Sequence, residues 1–216
     1  MNPPVEIISK ERLWHILEHP LDFPWRSHGI GMLRVYIDED GVLPEGDPGR
    51  HLSAFRLHLW HRRLLNPGIT TMHTHPWRLR SWIIAGQLQN VRFSRSRSAD
   101  NRADAFHEAQ IGCGVLPFRG LESKPGTIYL RTGVPETYVP GTWYDQEPEE
   151  IHESRAKDGT ISLIHRDQFR EDGMASVFWP HGRPWGDASR DTTREDVLIT
   201  TAAARRELEY TLWRKR

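Results

Sequence analysis

The stretch "GITTMHTHPWRLRSWIIAG" (68–86) sets His73 and His75 one residue apart in a run that reads as extended chain. Side chains at i and i+2 of a strand leave the backbone on the same side, so the two imidazoles can close on one divalent ion as a two-pronged clamp. A His-x-His pair also occurs on exposed strand faces, where it binds nothing. A metal site needs further donors converging on the same point. The chain has the material: 12 His and 9 Trp in 216 residues are a heavy load of the two residue types that build metal sites and large, partly polar pockets.

Such a clamp must be held by regular elements, and their signals run along most of the chain. Ser9 caps a short amphipathic helix, "KERLWHILEH", that stops at Pro20 and Pro24. Strand-like segments follow in quick succession. "IGMLRVYI" leads into the turn "DEDG" and a Pro- and Gly-rich loop to about Arg50. In "LSAFRLHLW", Phe55, Leu57 and Leu59 alternate with Arg56, His58 and Trp60. Then come "TTMHTH", "RSWIIAGQLQNVRFS", "AFHEAQIG", "GTIYLRT", "ETYVP", "EIHESR", "TISLIHR" and "MASVFWP", separated by Gly, Pro, Asp and Asn turn signals. Eight to ten short strands with no interleaved helices predict an all-β sandwich or barrel in one domain, with its core over about 28–180. A C-terminal helix over 192–214 follows, opened by a capping box of Thr192 and Glu195 and closed by basic residues.

Around the histidine pair, "PGITTMHTHPWRLRSWIIAG" resembles the first sequence motif of the cupin superfamily: a glycine, His-x-His, a glutamate and a closing glycine. Gly68 precedes His73 by one residue less than that pattern, and Gly86 closes it at the expected distance. "GTWYDQEPEEIHES" resembles a degenerate second motif, with Gly141, Pro148 and His152; Glu150 stands where a glycine would be, and the histidine comes one residue early. The resemblance implies a double-stranded β-helix, the cupin jelly-roll barrel, flanked by the two helices, with the metal in the barrel mouth on His73, His75 and His152. The long spacing between the motifs implies an insertion within 94–126. The motif's glutamate position falls on Leu79, with Arg80 beside it, and neither ligates a cation. The implied site is therefore a three-histidine one, similar to that of the cysteine/thiol dioxygenase branch.

Other residues carry two readings each. His58 and Arg56 share a strand face, where they bind substrate or meet solvent. Arg78 and Arg80 follow His75 and either clamp a substrate carboxylate through the guanidinium fork or belong to an exposed turn. His165 is similar in place to a histidine that supports a catalytic tyrosine in thiol dioxygenases, but Asp167 stands where that tyrosine would be; Tyr144 or Tyr138 could substitute as the acid, or simply pack. His107, His181 and Cys113 are spare polar groups, with surface or buried positions as their plain reading. Trp77, Trp82, Trp143 and Trp179 wall a pocket or fill the core.

The resemblance implies an iron(II)-dependent dioxygenase acting on a small polar substrate such as an amino acid or thiol acid. A lyase, isomerase or hydrolase using zinc, manganese or nickel as Lewis acid is the alternative, and a non-enzymatic small-molecule-binding cupin is the third reading. Lys+Arg and Asp+Glu are 29 each, so no bulk field favours nucleic acid or an anionic membrane as partner. The single cysteine fits a reducing compartment, and the absence of an 18-residue apolar run or an apolar leader fits a cytoplasmic protein. The C-terminal helix is expected to cover the outer sheet or to join a homodimer.

Overall fold

The computed structural model of the chain describes residues 8–37, 55–66, 71–97, 103–112, 122–168, 174–181 and 191–213. Gly68, Cys113 and the loop through Arg50 lie outside the described residues. Within them the chain is mostly β, with two antiparallel sheets and two helices.

Helix α1 (Lys10–Glu18) starts where Ser9 Oγ accepts the Arg12 N–H at 3.1 Å, satisfying one of the orphan donors of the first turn. It buries Leu13, Ile16 and Leu17 and ends before a 3-10 turn at Pro20–Asp22. Helix α2 (Arg194–Trp213) is capped one residue later than its sequence suggests. Thr193 Oγ1 accepts the Asp196 N–H at 3.1 Å and donates to the Asp196 carboxylate at 2.8 Å. Thr192 Oγ1 instead takes the Ser27 N–H at 2.6 Å. The two acids differ in burial: Arg63 pairs with both, Asp196 at 3.0 Å and Glu195 at 2.7 Å, but the Asp196 carboxylate is fully buried at the helix start while Glu195 is largely exposed.

The first sheet runs β1 (Arg26–His28), β2 (Ile30–Ile37), β3 (Phe55–Leu65), β11 (Ile161–Asp167), β4 (Arg78–Ala85), β9 (Trp143–Gln146). The second runs β10 (Ile151–Ala156), β5 (Leu88–Ser96), β7 (Glu122–Thr132), β6 (Ala103–Gly112), β12 (Met174–Pro180), with β8 (Glu136–Tyr138) also on β5. The run "RSWIIAGQLQNVRFS" is thus two strands in two sheets, not one. Gly86, at φ +82°, turns the chain between them, and a Cβ there would lie 2.7 Å from Thr160 Cα. β1 and β9 were not foreseen from the sequence; each is short and joins an edge of the sheet. The intermotif region contributes the β6–β7 pair.

Apolar packing lies on both faces of the first sheet. On the outer face Leu33, Val35, Leu57, Leu59, Ile161 and Leu163 pack against Leu13, Ile16 and Leu17 of α1 and Val197, Ala204 and Leu208 of α2. Leu57 and Leu59 are fully buried, each worth about 1.5–3 kcal/mol of transfer free energy. On the inner face Met32, Trp60, Leu79, Ile83 and Ile164 meet Leu88, Tyr138 and Ala156 of the second sheet. The alternation expected in β3 holds, but its polar side points into the protein rather than to solvent.

Candidate metal centre

His73 and His75 lie on a short extended segment that is not a full strand. Only His73 forms bridges, and it forms two: to His152 of β10 on one side and Val177 of β12 on the other. The main-chain bonds are reciprocal with His152 at 3.0 Å each way, and Thr74 N–H and Met72 C=O bond Ser176 and Phe178 of β12. β10 and β12 are the two edge strands of the second sheet, so one residue joins both edges. This removes their unpaired backbone groups at that level and fixes His73 against His152. His75 is tied separately: its carbonyl accepts the Glu149 N–H at 3.0 Å. Glu149 adopts φ +65°, a left-handed turn next to the place where the motif's glycine is replaced by Glu150.

The three imidazoles converge. Ring centroids are 4.4 Å apart for His73–His152, 4.7 Å for His73–His75 and 5.0 Å for His75–His152. One ring nitrogen from each lies within 4.8 Å of the others, a jaw that small ring rotations close onto an ion bound at about 2.0–2.1 Å. Among the described residues this is the one such group.

Their protonation suits the task. His73 Nδ1 lies 2.8 Å from the Thr71 carbonyl and His152 Nδ1 3.1 Å from the Glu150 carbonyl. A carbonyl only accepts, so each Nδ1 carries the proton and each Nε2 keeps its lone pair for a metal. Burial is the leading cause that holds all three below the ordinary histidine pKa, most strongly for His75 and His152, so they stay neutral ligands at pH 7. His152 is 2% exposed, while His73 and His75 are only partly buried and leave the centre an approach. The donor set therefore fits a borderline divalent ion.

The remaining candidates separate by strand face. Arg56 and His58 turn inward from β3. His58 is 7% exposed, its pKa is pushed well down by burial and then by Arg56, and its Nε2 has no hydrogen-bond partner. Tyr144 also turns inward, beside Ser81 and Ser154, and burial raises its pKa. Trp77 stacks on His75 at 5.2 Å with rings 21° apart. Leu79, at the absent glutamate's position, is buried in the inter-sheet core.

Arg78, Arg80 and His165 are not brought to the histidines. They occupy the outer face, because β4 and β11 alternate and their neighbours Leu79 and Arg166 take the inner one. Arg80 binds both Asp145 oxygens at 2.6 and 2.8 Å and lies 4.6 Å from the Trp143 ring centre; Arg78 reaches Asp145 at 3.2 Å. His165 packs on Phe55 at 4.8 Å, with Asp167 at 3.9 Å. Trp82 shares this face with Arg80, and Trp143 is 45% exposed. His107, His181 and Trp179 form a separate ring cluster on β6 and β12.

Sequence reasoning passed over Arg34, Tyr36, Arg166, His28 and Gln146. Register puts all five on the inner face: Arg34 opposite His58, Tyr36 opposite Arg56, Arg166 and Gln146 on either side of Leu79, and His28 opposite Met32. The signal was present in "IGMLRVYI", where Arg34 breaks an otherwise apolar strand.

A three-histidine cluster in a two-sheet architecture is compatible with a cupin. No protein-family model matches the chain, and no curated protein matches it either. No helix among the described residues is long and apolar enough to cross a membrane.

Proposed function

We propose that the chain is a metal-dependent enzyme of the cupin type, its two sheets forming a jelly roll, and that it is an iron(II) oxygenase acting on a small polar substrate such as an amino acid or thiol acid. One observation carries this reading: three imidazoles bring one ring nitrogen each to within 4.8 Å of the others, and an apolar side chain, Leu79, stands where a fourth, anionic ligand would be. A divalent ion held this way keeps its full double charge and open coordination positions, and supplies Lewis acidity or, as iron(II), dioxygen activation.

The protein's own groups divide the other work. His73, His75 and His152 hold the ion, with the Thr71 and Glu150 carbonyls fixing two of the three rings. Trp77 walls the approach at His75 and, with the inter-sheet core, keeps bulk water from the inner face. Arg56 orients an acidic group of the substrate. Tyr144 Oη stays protonated at neutral pH and is the proton donor of the inner face.

Elemental analysis of protein purified without added metal, followed by oxygen-electrode measurements with thiol acids, tests the reading. Iron at one equivalent and substrate-dependent oxygen uptake are expected. Zinc with anaerobic turnover would move the chain to the Lewis-acid class of lyases, isomerases and hydrolases. A folded protein that takes up no divalent ion would overturn the metal reading altogether.

A further inference from the structure

The turn that leads from the first sheet to the second beside the metal centre has a polar side chain at each end. β9 belongs to one sheet and β10 to the other, and only residues 147–150 separate them. Gln146 closes β9, and His152 is the second residue of β10. Pairing puts both on the inter-sheet side. Gln146 stands opposite Leu79 and Tyr144 opposite Ser81, and Leu79 and Tyr144 belong to the inter-sheet core. On β10, His152, Ser154 and Ala156 share a face, and Ala156 packs on that same core.

The two residues also lie at one level. Tyr144 is beside Ser154 across the sheets. Two residues on from Tyr144 is Gln146, and two residues back from Ser154 is His152, each step toward the turn. Two hydrogen bonds hold the level. Arg92, opposite His152 on β5, donates from Nη2 to the Asp145 carbonyl at 2.9 Å, next to Gln146. From within the turn, the Glu149 N–H bonds the His75 carbonyl at 3.0 Å.

Gln146 is 1% exposed, and neither Oε1 nor Nε2 has a hydrogen-bond partner. Asn90, the other buried amide among the described residues, has one: its Oδ1 accepts from Ser154 Oγ at 3.1 Å. An apolar residue of similar shape at position 146 would avoid the cost of burying a donor and an acceptor unmade. The place matters too. Leu79 stands at the position that carries a ligand glutamate in the motif, and Gln146 is its cross-strand neighbour. Where the motif sets an anionic ligand, this chain sets an apolar side chain and, beside it, a neutral amide.

We propose that Gln146 orients the substrate at the histidine centre: it takes an α-hydroxy or α-amino acid chelated there, Nε2–H donating to the carboxylate and Oε1 accepting from the hydroxyl or amine. This deepens the preceding reading and rests on it for the ion. A carboxamide carries donor and acceptor in one plane, the complement of an acid whose neighbouring heteroatom keeps a proton. It brings no charge, so the ion keeps its full attraction for the acid. A thiol acid, whose sulfur coordinates as thiolate, uses the Nε2 half alone.

Glycolate and methoxyacetate isolate the accepting half, since they share the chelating oxygens and only glycolate has a hydroxyl proton. Absorption titration of the cobalt-loaded protein should show glycolate binding about tenfold tighter. Gln146→Met should bring that ratio to near one, with cobalt affinity within about threefold of wild type and the metal-free protein melting no lower. An amide that merely holds an internal water would do the opposite, lowering the melt and leaving the ratio. Gln146→Glu keeps the shape and the acceptor but sets a carboxylate, ionised beside the ion, against that of the acid; both probes should weaken about tenfold or more. It carries the test should Gln146→Met not fold. A wild-type ratio of one overturns the proposal, as does a ratio that survives in folded Gln146→Met, or unchanged affinities in Gln146→Glu. Cobalt affinity lost in Gln146→Met as fully as in His152→Ala would make the amide a ligand and overturn its orienting role. Cobalt uptake is titrated separately. Uptake without glycolate preference sinks this inference and spares the metal centre, whereas folded wild-type protein that takes up no cobalt sinks both.

Discussion

Two groups of arginines lie on opposite faces of one sheet, and their surroundings give them opposite roles. On the outer face Arg78 and Arg80 converge on Asp145, with Trp143 against Arg80. On the inner face Arg56 and Arg166 lean on Tyr36 and Trp77, with Arg34 as their neighbour. The outer pair is neutralised by a fixed carboxylate, and that carboxyl is held below its ordinary pKa chiefly by the hydrogen bonds from Arg80. The inner group adds to a field that already lowers the pKa values of His28 and His58, after burial itself. The same side chain is thus tied to a carboxylate of a neighbouring strand on one face, and packed against buried aromatic rings on the other. Chain position does not tell the two apart: Arg78 and Arg80 are close to His75 in sequence, yet Arg166 is on the histidine side.

The sharpest test of this division compares histidines on the two faces. His152→Ala should weaken divalent-metal affinity by more than about 100-fold, beyond what loss of an outer partner usually does, with the circular dichroism spectrum kept. His165→Ala, on the outer face with Phe55, should leave metal affinity unchanged. Equal loss in both variants would erase the distinction between faces; equal retention would remove His152 from the ligand set.

Acid should act on the buried histidines and on the Asp145 tie at different pH, and His165 of the outer face shares the histidines' direction, lowered chiefly by burial. His28, His58, His73, His75 and His152 all have folded pKa values below the ordinary 6.5, burial being the first cause for each. The unfolded chain therefore binds more protons than the folded one below about pH 6.5, and stability falls as pH drops through that window. Each histidine that stays neutral contributes a slope of about 1.4 kcal/mol per pH unit. The Asp145 tie has the opposite kind of shift and is fully present above about pH 4, then lost as pH falls through the lowered folded pKa. Thermal melts of metal-free protein should thus decline from pH 6.5 downward. His58→Gln should flatten that decline by one histidine's share, and Asp145→Asn should leave its slope between pH 6.5 and 5 unchanged. A flat profile over that range would mean that the inner histidines are not kept neutral.

The strand pattern and the histidine pair were legible because they depend on local spacing. Turn residues delimit β2, β10, β11 and β12 almost to the residue, and Ser9 caps α1 as read. What misled was the assumption that the polar side of an alternating strand meets water. In β3 the apolar side, Leu57 and Leu59, is consumed by α1 and α2, so Arg56 and His58 are left for the interior. That exchange depends on where distant helices dock, which no window of the strand contains. The same holds for Arg166, whose face follows from pairing with Leu79, and for Arg78 and Arg80, whose partner Asp145 is on another strand. The cap of α2 slipped for a similar reason, since Thr192 Oγ1 is taken by the Ser27 N–H from a distant strand.

Arg80→Ala measures the outer tie directly. The side chains are partly exposed, 19% for Arg80 and 25% for Asp145, so solvent screens the pair and the full strength of a buried bidentate bridge does not apply. Its two short parallel bonds and the contact with Trp143 still exceed an ordinary surface pair, and a loss of about 1–2 kcal/mol is expected. A double-mutant cycle with Asp145→Asn should return about 1 kcal/mol of coupling in urea melts. Metal affinity should not move, because Asp145 and both arginines face away from the histidines. A loss of metal affinity with no change in stability would place the outer arginines at the histidine centre and collapse the distinction between the two faces. The reverse result, stability alone, keeps Arg78 and Arg80 as structural residues of the outer face.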